Sequence, residues 1–425
     1  MKEFITLAID TSCDETSASV VKGLKLLSNV MPSQMEFHKK YGGVVPSLAK
    51  LAHQERIDNV VKESMSRAGV TFKDLDTIAV TYGPGLAIAL EVGLNKAKAL
   101  AKEYSKPLLG INHMEGHLLS SFLQSKVLDA GAPKKTLSIG NTSGIKDSNT
   151  LKDYNYQLLE DTKFPALGVL VSGGHTELIL VTNFGKYQKI GETLDDSCGE
   201  AYDKCGRILG FGYPAGQIIS KLAKEHRKSI KIKSYKRNQS LLIQLQNINT
   251  LKTYELPISM ANSGDLNFSY SGLKTAFKVL VESIINKKLQ HSDEVEGIAS
   301  LLSKEDVLDL TSLIEAAALA QLLLKVEKAI KQYSPKEIWL GGGVIASAQL
   351  RNLVRKVCKD YFIKLRYPYT NKLTGDNAGM IGVVANIRLW NSHKDNSSYI
   401  TKHNPSQKLF TKDFHEIDRD PNLTF

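Results

Sequence analysis

IDTSCDETSASVV (residues 9–21) and LVSGGHTELILV (residues 170–181) share one design: an apolar strand, a tight turn rich in Ser, Thr, Gly and Asp, then a second strand. A design that occurs twice predicts two related lobes, each offering a β-hairpin turn to a shared cleft. Exposed backbone N–H groups in such turns form anion-binding concavities. Two facing turns would make a phosphate clamp. The likeness between the two stretches is faint, and coincidence is the competing explanation.

Around the first hairpin, apolar runs alternate with helical patterns. FITLAID and TSASVVKG are followed by a long amphipathic stretch from Pro46 to Ala68, then DTIAVTYGPG, a helix around LEVGLNKAKALAKEY, the strand PLLGIN and a short histidine helix. Strands alternating with helices predict an α/β lobe over residues 1–123. A polar, Ser/Thr/Asn/Lys-rich insertion or linker occupies 124–163. The second α/β lobe, 164–375, opens at FPALGVLVSGGHTELILVTNFG and is interrupted near 228–251 by a polar segment headed by RKSIKIKSYKR. Helical patterns then run from Ser271 to Asn286 and from Ser303 to Tyr333, the latter with TSLIEAAALAQLLLKV as the centre of a buried core helix. In KEIWLGGGVIAS a strand runs into a glycine turn and a helix. Gly341 to Gly343 allow backbone to approach a flat or phosphorylated ligand closely, although strand-to-helix turns use glycine anyway. The last helix, near 376–392, completes the first lobe, and the tail 393–425 reads as peripheral.

At 425 residues and 42% hydrophobic content the chain has ample core. A net charge of +11 and a pI near 9.2 favour an acidic partner, most simply nucleic acid, while a well-solvated lysine-rich surface fits the same charge. Cys13, Cys198, Cys205 and Cys358 form no CxxC pair and are too sparse for a disulfide framework, which points to a reducing compartment. The N-terminus enters a strand at once, and no uninterrupted apolar run reaches membrane-spanning length. We expect a cytoplasmic protein without membrane contact; an organellar matrix form after processing would look the same.

INHMEGHLLSSF (residues 111–122) holds His113 and His117 four positions apart. On a helix such residues lie within ~40° of each other and can grip one metal. In the HExxH arrangement of zinc proteases a Glu directly follows the first His and acts as general base. Here the acid is Glu115, ~200° around the helix from His113, so it points away. The motif alone leaves open a metal pair or two helix histidines without a ligand.

Taken in order, AIDTSCDETSASVV, GGVVPSLAKLAHQE, TYGPGLAIALEVGL, INHMEGHLLS, LVSGGHTELILV, GETLDDSCGEAYDKCGRILG, SYSGLKTAF, WLGGGVIAS and TGDNAGMIG closely resemble the tRNA N6-adenosine threonylcarbamoyltransferase family, whose bacterial branch is called TsaD and was once classed as O-sialoglycoprotein endopeptidase. The motifs span nearly all of residues 4–390, and HMEGH is similar to the bacterial and organellar branch. This resemblance implies an α/β, two-lobed actin/Hsp70/sugar-kinase-like (ASKHA) fold with a central nucleotide cleft. It also implies a catalytic divalent metal, iron first and zinc second, held by His113, His117 and Asp376. Leu170, Val171, Ser172, Gly173 and Gly174 look like the turn that holds substrate phosphate and carbonyl groups. Asp203 and Gly216 look like the ribose and adenine contacts of the adenylate. Ser347 stands where the family commonly has Asn, so its hydrogen-bonding reach is shorter.

The activity implied is transfer of threonylcarbamoyl from threonylcarbamoyl-AMP to N6 of adenosine 37, in the anticodon loop of tRNAs reading ANN codons; ATP or ADP would fit the same cleft. Implied partners are a degenerate TsaB-like paralogue and a small TsaE-like P-loop ATPase for a bacterial form, or a homodimer for an organellar one. Asp10, Asp14 and Glu15 either tune the metal and substrate or simply shape the hairpin. His175 is a candidate proton acceptor or a hairpin brace, and no general base is assigned. We read the RKSIKIKSYKR segment as a solvated loop, with a tRNA-facing surface as the alternative. A metallopeptidase using the histidine pair and an ATPase or kinase of the same fold are the competing functions.

Overall fold

The structure, a computed structural model, describes residues 2–32, 45–125, 157–229, 254–289, 302–394, 410–411 and 417–425. The polar insertion expected at 124–163 lies outside the described residues over 126–156, and the basic segment expected near 228–251 lies outside them from 230 onward.

The first sheet is built from β1 (Ile5–Asp10), β2 (Ser17–Lys22), β3 (Lys25–Val30), β4 (Thr77–Gly83), β5 (Leu108–Asn112) and the short β6 (Gln124–Ser125). The second holds β7 (Ala166–Val171), β8 (Thr176–Asn183), β9 (Lys186–Glu192), β10 (Glu337–Gly341) and β11 (Lys364–Arg366), while a two-residue β12 (Phe410–Thr411) borders the first. Along the first sheet runs β5-β4-β1-β2-β3, and along the second β11-β10-β7-β8-β9. The pairing senses match as well. In each sheet the hairpin and its third strand are antiparallel, and two further strands add in parallel on the other side. Duplicated topology is thus the physical content of the faint sequence repeat. Its two hairpin turns close after Asp10↔Ser17 and Val171↔Thr176.

Helices cover the sheets: α1 (Pro46–Ala68), α2 (Ala87–Glu103), α3 (His113–Leu119), α4 (Cys198–Ile208), α5 (Gly216–Ser229), α6 (Ser271–Leu289), α7 (Lys304–Tyr333), α8 (Ala348–Asp360) and α9 (Ala378–Lys394). Central strands such as β4 are buried along their whole length, as parallel strands covered on both faces must be. Ser303 and Asp306 form a capping box that starts α7. By length and composition α7 could cross a membrane, yet its apolar centre is packed into the core of the second lobe. It is a core helix, as its sequence suggests. Helix α9 packs on β1 and β2, and Asn386 fixes it there by donating to the carbonyls of Phe4 (3.2 Å), Val21 (3.2 Å) and Gly23 (2.8 Å). A separate apolar cluster, including Leu118, Leu170, Trp339 and Ile381, joins the two sheets where they meet.

The tail departs from its expected peripheral place over its described residues. Strand β12 pairs with β5, Ile417 is buried in the first lobe, and Asp420 N–H donates to Tyr82 O (2.8 Å). Gly83 makes room for this backbone: a Cβ there would stand 1.8 Å from Asp420 O. Backbone pairing holds the segment, and a polar composition does not reveal that.

Candidate functional site

Strand β5 ends at Asn112, whose side chain accepts from the N–H groups of Met114 (2.8 Å) and Glu115 (3.3 Å) and so starts α3 at His113. Within that helix both imidazoles turn to one side, with ring centroids 4.7 Å apart and edges to faces. Asp376 arrives from the loop before α9. Its Oδ1 lies 3.1 Å from His117 Nε2 and 3.5 Å from His113 Nε2. One donor atom from each residue fits within a 4.8 Å span. Both histidines are buried, while the Asp376 side chain keeps 29% of its exposure. The group is therefore closed on the helix side and open on the third.

Electrostatics favour a positive charge here. Burial works against a charged His113, but Asp376 and Asp10 outweigh it and push the ring up to about 10. Asp376 pays a similar burial penalty, yet the two histidines hold its carboxyl well below the usual range. Among the described residues, Nδ1 of both rings is buried without a hydrogen-bond partner. Asp10 Oδ2 stands 3.6 Å from His113 Nδ1, while its Oδ1 accepts from Ser12 N–H at 3.2 Å. Asp10 thus serves both the hairpin and the histidine.

Glu115 lies where the helix arithmetic puts it. Its carboxylate pairs with Arg388 of α9 and accepts from the Tyr187 hydroxyl of β9 at 3.0 Å. It braces the back of the histidine helix against both sheets and offers the metal side no general base. The tail adds to this brace. Asn112 Nδ2 donates to Thr424 O (3.1 Å), and the Phe425 ring meets the Tyr187 ring edge to face at 5.6 Å.

The second hairpin turn adjoins the same group. Ser172 N–H donates to His175 O (2.8 Å), His175 N–H donates to Ser172 Oγ (3.1 Å), and Ser197 Oγ donates to Gly173 O (2.6 Å). Leu170 and Val171 are buried strand residues leading in. Gly173 and Gly174 are exposed, neither has left-handed backbone, and a Cβ on either would meet nothing within 4 Å. Burial, with His113 and His117 adding to it, lowers the His175 pKa to about 4, so the ring stays neutral at pH 7 and adds no charge beside the cation position.

Gly341 and Gly342 answer to packing. A Cβ on Gly341 would stand 2.3 Å from His117 O, and one on Gly342, at φ +96°, would stand 2.4 Å from Val171 O. Gly341 lets the second sheet close onto the histidine helix, and Gly342 lets the turn after β10 pass close over the end of β7. Asp203 Oδ1 accepts from the N–H groups of Ala215 (2.7 Å) and Gly216 (3.2 Å) at the start of α5. Between them lies Tyr213. Burial raises its phenol, and the carboxylates of Asp14, Asp203 and Asp376 add to the rise, so the Asp203–Gly216 corner shares a neighbourhood with the first hairpin and the metal group. Ser347 stands at the head of α8, where its Oγ accepts from Leu350 N–H at 3.3 Å.

Sequence reasoning left Asp10 open between metal and hairpin, where it serves both, and missed the Glu115–Arg388–Tyr187 brace and the seating of the tail. The one signal for the brace was the acid's own position, on the face opposite the histidines.

The family model described as "TsaD: tRNA N6-adenosine threonylcarbamoyltransferase" matches residues 25–139 and 149–383. A relative of that name from Streptococcus pneumoniae (strain CGSP14) is 40% identical over 392 residues, covering 92% of this chain and 94% of its own. One from Clostridioides difficile (strain 630) is 37% identical over 383 residues, covering 90% and 92%. Among solved structures, full-length HypF in its phosphate- and nucleotide-bound form overlaps 91% of this chain and 56% of its own, at a TM-score of 0.47 and 11% identity. The chain belongs to the tRNA N6-adenosine threonylcarbamoyltransferase family.

Proposed function

We propose that this protein transfers the threonylcarbamoyl group from threonylcarbamoyl-AMP to N6 of adenosine 37 in tRNAs reading ANN codons, forming t6A. The observation that carries the reading is the grouping of Asp376 with His113 and His117 of α3, a helix packed against β7, the strand that leads into the turn with Gly173 and Gly174 open. The donor set suits iron or zinc, iron first: two imidazole nitrogens and one carboxylate oxygen, in a pocket that stabilises positive charge and leaves one side open. When bound, the metal supplies Lewis-acid polarisation of a carbonyl or phosphate oxygen.

The remaining work falls to the chain. N–H groups of Gly173 and Gly174 donate to the phosphate and carbonyl oxygens as charge develops, while the Ser172 N–H holds the turn closed on His175 O. Leu170 and Val171 fix that turn on β7, while Asp203 and Gly216 hold the ribose and adenine. Ser347 contributes through the helix N-terminus it caps. In the reaction, N6 bonds to the carbamoyl carbon, the bond from that carbon to the phosphate oxygen breaks, and AMP leaves with the electron pair. The N6 proton passes to solvent. An exocyclic amine is a weak nucleophile, so holding it in line supplies much of the rate. A target base must leave its stack to reach a cleft, which suits an anticodon loop.

A TsaB-like paralogue and a TsaE-like ATPase are the proposed partners of a bacterial form, and a second copy of this chain that of an organellar form. The cytoplasm is the proposed compartment, in keeping with four free cysteines. Incubation with tRNA, threonine, bicarbonate, ATP and a threonylcarbamoyl-AMP synthase, with and without those partners, should give t6A by mass spectrometry. Failure in every combination overturns the reading.

A further inference from the structure

One face of α8 carries cations without anionic partners. Arg351, Arg355 and Lys359 stand four residues apart, so the helix sets them in one row. Among the described residues none of the three makes an ion pair. Both arginines gather at one ring: each guanidinium carbon lies 5.8 Å from the centroid of Tyr367. Arg355 Nη2 also donates to the Tyr367 hydroxyl at 2.9 Å. Two like charges sharing one phenol repel each other, and among the described residues no carboxylate pairs with them. An arrangement of this kind gains stability when an anion joins it.

The row begins at the candidate site. Arg351 Nη1 donates to Ile345 O (2.8 Å), just after the glycine turn, and to Asn371 Oδ1 (2.7 Å), in the loop that leads to Asp376. Lys372 is exposed in that same loop. From there the row climbs α8 through exposed Arg355 to exposed Lys359. A single small anion would need one such group. A row that leads away from a cleft fits a repeating polyanion.

We infer that Arg351, Arg355, Lys359 and Lys372, with Tyr367 as their shelf, hold the phosphodiester backbone of the RNA substrate where it enters the cleft. The inference rests on the reading of tRNA as acceptor and adds the surface that receives it. Contacts of this type position the RNA and carry no base sequence, so they strengthen binding through counterion release.

The test measures tRNA affinity against salt concentration for the full chain. Arg351 also ties two site loops together, so the variants are Arg355→Glu, Lys359→Glu and Arg355→Lys. Lys62→Glu, on an exposed turn of α1 in the other lobe, makes the same charge change elsewhere. Arg355→Glu and Lys359→Glu should each weaken binding about tenfold near 0.1 M salt and reduce the slope of log K against log salt by about 1. Arg355→Lys should recover most of the loss, and Lys62→Glu should bind as the wild type does. Wild-type affinity and slope in both α8 charge reversals would overturn the surface, as would an equal loss in Lys62→Glu. A wild-type chain that fails to bind tRNA even at low salt would overturn the acceptor reading itself.

Discussion

The two hairpin turns have the same place in the same topology and opposite interiors. The first is filled. Asp10 accepts from Ser12 and approaches His113, Thr11 Oγ1 donates to Ala89 O (2.9 Å), Thr16 Oγ1 meets His53 Nδ1 (2.8 Å), and the other ring nitrogen of His53 reaches Cys13 O (3.1 Å). The second is bare at its tip, with two exposed glycines and open space around both. A duplicated fold has thus divided its labour. One turn is a brace for the metal group, and the other leaves its two glycines open to a ligand.

The largest expected effect comes from the group that the two turns share. His117→Ala removes a donor whose partner Asp376 has few alternatives, so metal content by elemental analysis and transfer activity should both fall at least about a hundredfold. Retained metal with full activity would dissolve the comparison. Asp10→Asn tests the brace and should lower metal affinity about tenfold, because it weakens the support of His113 without touching a ligand. If the mutation changes only the melting temperature, Asp10 shapes the hairpin alone.

Gly174→Ala tests the open turn. Nothing in the fold meets the added methyl, so the melting temperature should stay within about 0.5 kcal/mol of wild type in stability terms. KM for the activated adenylate should nevertheless rise about tenfold, since the methyl occupies ligand space. A stable variant with unchanged KM would show that the turn is merely bare. The smallest effect concerns Glu177, just beyond this turn. Burial pushes its carboxyl up to about 7, Oε2 has no hydrogen-bond partner among the described residues, and Lys189 Nζ is 3.9 Å from Oε1. The folded chain holds this proton up to about pH 7, while the unfolded chain releases it near the ordinary 4.5, so stability falls as pH rises through that interval. Glu177→Gln should remove the fall and gain of order 1–3 kcal/mol at high pH, seen as thermal midpoints that diverge from wild type as pH rises from about 4.5 and stay apart above about 7.

Much of this division was legible in the residues. Strands, turns and helices follow from apolar periodicity and from Ser, Asp, Gly and Asn at their ends. The histidine pair follows from i, i+4 spacing, and the outward face of Glu115 from the same geometry. Asp376 came only through family resemblance, because no local pattern ties a residue to a helix more than 250 positions earlier in a chain of 425. For Gly341 and Gly342 the residues leave ligand approach and a plain strand-to-helix turn both open, and the close neighbours are His117 O and Val171 O. Glycine signals close approach without saying of what. The tail escaped for a related reason: its hold combines backbone hydrogen bonds with single contacts by Ile417, Arg419 and Phe425, and scattered residues of this kind set up no periodic pattern.

The central claim is best tested by a single turnover with threonylcarbamoyl-AMP labelled in its threonyl group and unmodified tRNA, the metal-loaded protein and its partners in excess. The account predicts label on the adenosine beside the anticodon together with stoichiometric AMP, and loss of both in His117→Ala. AMP released without labelled tRNA, or equal transfer by wild type and His117→Ala, would contradict it.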